Sequence, residues 1–260
     1  MTGANAMNTF GPTGEMTPRR NPVNRTVIGL TVRVLLGRRR GALFILLPAL
    51  LVLLAGTLRW AAGVDEEVAV GFLGNFAIGT VLPLLALLAG TGVVGPEIDD
   101  GSIIYLLAKP IPRWHLVLSK LLVATATVIV FGALPIVVCG MILTGELGGI
   151  ALGFGLGAVL AGVAYCAVFV LLGVVSRHAV VFGLVYALLW ESLIGGFLPG
   201  VKTLSIQQWA LAVTREIVDV AMPLATVRLA VAIPALLITV ALATWYASRR
   251  LRSLSLSGEV

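Results

Sequence analysis

Residues 96–120 read PEIDDGSIIYLLAKPIPRWHLVLSK, a charged and proline-punctuated segment between two long apolar runs. The runs, Phe72–Gly95 and Leu121–Thr144, are each long enough to cross a bilayer, which takes about 20 apolar residues. Within the segment, Pro96 ends the preceding run. Glu97, Asp99 and Asp100 then open a short predicted helix, Ile98–Leu107, where the positive end of a helix dipole favours acids. Ile103, Ile104 and Leu107 give that helix an apolar side. Lys109, Pro110, Ile111 and Pro112 break it, because proline has no amide hydrogen and clashes with the preceding turn. A second helix restarts at Arg113 and feeds the next run, with Trp114 at the depth of an interfacial anchor. A solvated linker has no need of an apolar stretch such as Ile103–Leu107.

The rest of the chain agrees with a membrane setting. Of its 260 residues 59% are hydrophobic and 12% are charged, half the charged fraction of a typical soluble domain, about 25%. Mean hydropathy is +1.06, spread along the chain rather than held in one anchor. Six spans are predicted: Gly41–Leu58, Phe72–Gly95, Leu121–Thr144, Leu147–Val175, Val180–Leu198 and Leu229–Ala247. The third and fourth are joined by a short turn at Gly145-Glu146 and so form an antiparallel hairpin. Prolines inside four spans, Pro48, Pro83, Pro135 and Pro234, are tolerated where neighbours re-satisfy the freed carbonyls, and they predict kinks.

The net charge of +6 is no nucleic-acid signature, since most basic residues flank apolar runs as topology signals do. With the N-terminus inside, 14 of the 18 Lys and Arg residues fall in inner segments, leaving Arg59, Lys202, Arg215 and Arg228 outside. Both termini are then cytoplasmic, which requires an even number of spans, and 96–120 is cytoplasmic too. The expected location is the plasma (inner) membrane. Residues 1–22 are polar and Gly/Pro-rich and read as a disordered tail. Residues 23–250 form the membrane domain, and 251–260 a second cytoplasmic tail.

Two further helices are expected at the interfaces. In Asn24–Gly37, Arg25, Gly29 and Arg33 recur on one face of an otherwise apolar helix, suited to lying flat on the inner surface. In Ser205–Val220, Ile206, Trp209, Val213, Ile217 and Val220 oppose Gln208, Arg215, Glu216 and Asp219, giving an outer amphipathic helix that dips into the interface or caps the bundle. Gly149, Gly153 and Gly157 recur every four residues, a pattern that lets helix backbones approach. Packing within the subunit is the default for it.

Catalytic patterns are missing. There is no phosphate-cradling G-x-x-x-x-G-K-[ST] loop, no H-E-x-x-H and no G-x-S-x-G. His115 and His178 stand alone in separate inner loops. Cys139 and Cys166 lie in apolar runs with neither disulfide nor metal spacing. Glu191 stands out, about 11 residues or roughly 17 Å into the fifth span. An intramembrane carboxylate points to function by default, here a path or outer gate. The competing reading is a capping role near the outer mouth, beside Gly195-Gly196 and Pro199-Gly200.

The run from Glu97 to Arg113, followed by Lys120, resembles the signature of ABC-2-type permeases, the membrane-spanning subunits of a class of ATP-binding cassette transporters. It carries the acidic residue, the Gly101-Ser102 pair, an apolar stretch with Leu106-Leu107, Lys109-Pro110, Arg113 and the later lysine, in order and at matching spacing. The six-span layout and both accessory helices are similar as well, over about residues 24–250. The resemblance implies an all-α permease of an exporter, driven by two copies of a separate ATPase. Residues 96–120 would hold the coupling helix: Glu97, Asp99, Asp100, Gly101 and Ser102 would face the ATPase, and Lys109, Pro110 and Arg113 would set the angle to the third span. It implies a second permease subunit, as a homodimer or a related chain, and surrounding membrane lipids. The chain would be no enzyme and hold no cofactor, since ATP would be bound by the partner. Rival readings are an ion-coupled secondary transporter, which would want several intramembrane ionisable groups or paired broken helices, a membrane-embedded enzyme, and a scaffold without transport.

Overall fold

The computed structural model describes residues 37–95, 113–176, 178–194, 201–218 and 226–256. Among these residues the chain is all-helical, without strands. We number the helices α1 (Arg38–Ala62), α2 (Glu66–Gly92), α3 (Trp114–Thr144), α4 (Gly149–Val175), α5 (Ala179–Val185, continued by Tyr186–Ile194), α6 (Ile206–Arg215) and α7 (Leu229–Leu256). Five of them, α1, α2, α3, α4 and α7, are long and apolar enough to span a membrane. The predicted fifth span appears as the shorter α5, and residues 195–198 of it lie outside the described set. The helix expected at Asn24–Gly37, apart from Gly37, and the one at Ile98–Leu107 lie outside it as well.

Short connections at 63–65, 145–148 and 176–178 make consecutive helices antiparallel. The start of α1, the end of α2, the start of α3, the end of α4 and the end of α7 therefore share one end of the bundle, rich in Arg and Lys. The opposite end carries Arg59 and the turn at Gly145. That glycine closes α3 in the left-handed region, at φ 84°, a conformation that strains residues with a Cβ. Asp65 explains why α2 starts six residues before its apolar run. Its Oδ1 accepts from the amides of Glu67 (2.9 Å) and Val68 (3.2 Å), satisfying two of the first-turn donors that every helix leaves open.

The helix α4 is central, packing against α2, α3, α5, α6 and α7. Most of α2 and α4 is buried, whereas α1 and α7 expose most of their surface. That surface is apolar: Leu46 and Leu53 on α1, and Leu237, Ile238 and Leu242 on α7, are all exposed. In water such a stripe would be an aggregation hazard, while lipid tails are as apolar as leucine and cover it without penalty.

Two of the four span prolines follow widened turns. Leu82, just before Pro83, donates its amide to Ala77 O, and Leu134, before Pro135, donates to Ile129 O. Both bonds reach back five residues instead of four, and π-helical turns run through Phe72–Val81 and Ile129–Ala133. Proline cannot donate to the fourth residue before it, and the wider turn regroups the carbonyls upstream. Pro48 and Pro234 sit inside α1 and α7, which continue as α-helices past them.

Candidate functional site

Two regions hold the sequence-derived candidates. The first is the pair of helix ends from which residues 96–112 emerge. Glu97, Asp99, Asp100, Gly101, Ser102, Lys109 and Pro110 all lie outside the described residues. Arg113 opens the helical run that continues as α3. The two roots themselves are defined. α2 ends in a C-cap at Val93, and Lys120, two turns into α3 and 3% exposed, points its ammonium at that end. Lys120 Nζ donates to Val93 O at 2.5 Å. A cation at a helix C-terminus meets both orphan carbonyls and the negative end of the dipole.

Lys120 was quoted in the sequence pattern but not singled out as a site residue. Its signal is positional. Val117, Lys120, Leu121, Ala124 and Val128 fall at the three- and four-residue steps of one helix face, and all five are buried. The bundle's other end repeats the device: Arg59 of α1 donates from Nη1 to Leu143 O, in the last turn of α3, at 2.8 Å.

The second region surrounds Glu191. Its side chain is 1% exposed. Oε1 accepts from Tyr186 OH (3.1 Å) and from the Ile206 amide (3.0 Å), and Oε2 accepts from Ser205 Oγ (2.5 Å). Ser205 is the N-cap of α6, and its Oγ also accepts from the Gln208 amide at 3.3 Å. Glu191 thus places a carboxyl group at the positive end of α6 from a different helix, where its oxygens accept from the Ser205 hydroxyl and from the Ile206 amide, one of the open first-turn donors. Tyr186 and Glu191 are five residues apart and would diverge on an α-helix. They meet because Tyr186–Ile194 is π-helical.

The helix α6 falls within the expected Ser205–Val220 helix, and it is buried on both faces. Gln207, Gln208 and Thr214, on its polar side, are as buried as Trp209, Leu211 and Ala212. Each polar side chain has a partner: Gln207 Nε2 donates to Gly74 O (2.9 Å), Gln208 Oε1 accepts from Thr226 N (3.2 Å) and Oγ1 (3.0 Å), and Thr214 Oγ1 donates to Gly153 O (3.2 Å). Gly74 lies eight residues along α2 and Gly153 four along α4, about 12 Å and about 6 Å from their starts at 1.5 Å per residue. The N-terminus of α6 is therefore the deeper end, and the helix dips into the bundle, re-entrant with respect to α2 and α4. The glycines at 149, 153 and 157 form the seat for it: Cβ atoms there would approach Ile217 O, Val218 and Thr214. This is packing within the subunit.

Tyr165, fully buried on α4, completes the polar centre. Its ring stacks near Phe169, which meets the Tyr186 ring edge-on, and its hydroxyl lies near Glu191 and Gln207 without making a hydrogen bond of normal geometry. The described residues contain no cluster of His, Cys, Asp or Glu able to hold a metal. Cys139 and Cys166 are free and buried.

No curated protein matches this sequence at a significant level. A family match covers residues 24–246, described as ABC-2 family transporter protein, and it takes in the first four span-capable helices, residues 96–120 and most of α7. The chain therefore belongs to the ABC-2 transporter family, as the permease, the multi-pass membrane component of an ATP-binding cassette transporter.

Proposed function

We propose that this chain forms half of the translocation path of an ATP-driven exporter and takes its drive from a separate ATPase through the loop 96–112. The observation that carries the reading is the bond from Lys120 to Val93. It ties together the two helix ends between which the loop hangs, so a push on the loop reaches α2 and α3 jointly instead of being absorbed by independent fraying. α2 and α3 both pack on the central α4, which gives that push a route into the bundle. Glu97, Asp99, Asp100, Gly101 and Ser102 contact the ATPase, and Lys109, Pro110 and Arg113 fix the angle at which the loop meets α3.

In this reading α5 completes a sixth span together with residues 195–198, and both termini and the Lys120 end face the cytoplasm across the plasma membrane. Two ATPase copies bind ATP, and this chain holds no cofactor. A second permease subunit, identical or related, covers part of the exposed apolar surface of α1 and closes the path. Glu191 sits where the re-entrant α6 meets α5, at the outer side of that path, so an outer gate would move by shifting α6 against its carboxylate anchor.

The test is affinity purification of the tagged chain from its native membranes in mild detergent, followed by identification of what travels with it. An ATPase bearing a phosphate-binding loop is expected in stoichiometric amount. It should be lost from an E97K/G101W variant that still inserts and still shows the wild-type melting temperature. An intact ATPase complex with the double variant would refute the assignment of the loop.

A further inference from the structure

We propose that the membrane face between α3, α4 and α7 is a binding site for one anionic diacyl phospholipid of the leaflet at the Lys120 end. A groove of about 740 Å³ opens there, with an apolar wall that includes Leu118, Leu160, Val163, Leu237 and Val240. A second groove of about 470 Å³ shares Trp114, Leu118 and Val163 with it and follows α3 inward past Leu122 to Ile129. The two adjoin along Trp114, Leu118 and Val163, which suits two acyl chains hanging from one headgroup.

Depth selects the occupant. From Arg249 at the rim to Leu236 at the floor is thirteen residues of α7, about 20 Å at 1.5 Å per residue. Half of a bilayer with its headgroups is also about 20 Å. A groove that long, open to the side, matches a lipid of one leaflet. The rim has the chemistry of a headgroup layer. Trp114 and Trp245 are half exposed, as interfacial anchors are. The Arg249 guanidinium lies 4.3 Å from the centre of the Trp245 ring, held over the groove by a cation–π contact that leaves its donors outward. It forms no ion pair with any described residue. Deeper along α7, Thr244 and Ser248 are the polar residues of the lining. The cation gives the site its preference for a negatively charged headgroup.

The site stands independently of how the loop 96–112 engages an ATPase, and its test uses the full chain with its natural subunits. The preparation is placed in vesicles of phosphatidylcholine doped with a phosphatidylglycerol that carries a photoreactive acyl chain, and the adducts are mapped by peptide. We expect phosphatidylglycerol adducts concentrated on 116–122 and 236–245. They should fall about fivefold in R249Q, the effect of one cation at an anionic surface, while a photoreactive phosphatidylcholine is little changed. A241W, which fills the groove, should remove adducts of both lipids there. R249Q, at an exposed side chain, carries the test if A241W fails to fold. Labelling equal to that of the α1 face at Leu46–Leu53 and unmoved by R249Q would overturn the proposal in favour of ordinary lipid solvation. Efficient disulfide cross-linking of an L237C variant to a second copy of the same variant would overturn it in favour of a protein occupant.

Discussion

Lys120 Nζ and Val93 O are 27 residues apart along the chain and 2.5 Å apart in space, so the base of the segment 96–112 is closed by a charged hydrogen bond. K120M keeps most of the apolar stem but leaves the Val93 carbonyl buried without its donor, a loss of about 1–3 kcal/mol. The expected outcome is a lower melting temperature of the purified permease and, if the loop couples to an ATPase, transport-linked ATP hydrolysis reduced more than ATPase binding. K120R can donate from a similar reach and should recover part of both. Equal melting temperatures and equal coupling for K120M and wild type would remove the clamp.

Glu191 joins α5 to the start of α6 through Ser205 Oγ and the Ile206 amide. In E191A the Ser205 hydroxyl and the Ile206 amide are left buried without an acceptor, at about 2–4 kcal/mol for groups that had faced an ionisable partner. E191Q keeps a carbonyl for two of the three donors and should lose less than half as much. Thermal unfolding in detergent ranks the three forms. A protease probing the α5–α6 connection should cut E191A first, because the anchored end of α6 is the one set loose. Unchanged melting and cleavage in E191A would show that α6 is held elsewhere.

Five of the spans were legible in the sequence because they rest on strong signals: runs of 18 or more apolar residues, proline breaks and basic flanks. The depth of α6 was not legible. Gln207, Gln208 and Thr214 look like a solvent face on any helical wheel, and only their partners on α2, α4 and the segment before α7 make burial affordable. The Tyr186–Glu191 pair was hidden for a different reason. Side-chain faces are assigned with a period of 3.6 residues, and the π-helical turns of Tyr186–Ile194 change that period locally. Pro83 and Pro135 did announce irregular turns, though not that the irregularity would lie on their N-terminal side.

The two tyrosines beside Glu191 should respond in opposite ways. Tyr186 donates to the Glu191 carboxyl, and Y186F removes that hydrogen bond, at an expected cost of about 1–3 kcal/mol. The Tyr165 hydroxyl is buried without a hydrogen bond of normal geometry, and a polar group in that state is a liability that phenylalanine lacks. Y165F should leave the melting temperature unchanged or raise it. A clear drop in Y165F would mean that its hydroxyl is bonded in the folded protein.

Glycine substitutions test the seat of α6 directly. A Cβ at residue 157 would press on the Thr214 hydroxyl and come within 3.3 Å of the Ala210 carbonyl, which as backbone cannot rotate away. Overpacking of this kind costs about 1–3 kcal/mol, and G157A should also weaken the Thr214–Gly153 bond by pushing α6 outward. Gly56, in the middle of α1, has nothing within 4 Å of the same position. There alanine gains the helix preference it holds over glycine, roughly 0.5–1 kcal/mol. G157A should therefore melt below wild type and G56A at or above it, in the same detergent. If G157A is as stable as G56A, α6 does not rest on α4 through its glycine face, and the re-entrant placement of that helix fails with it.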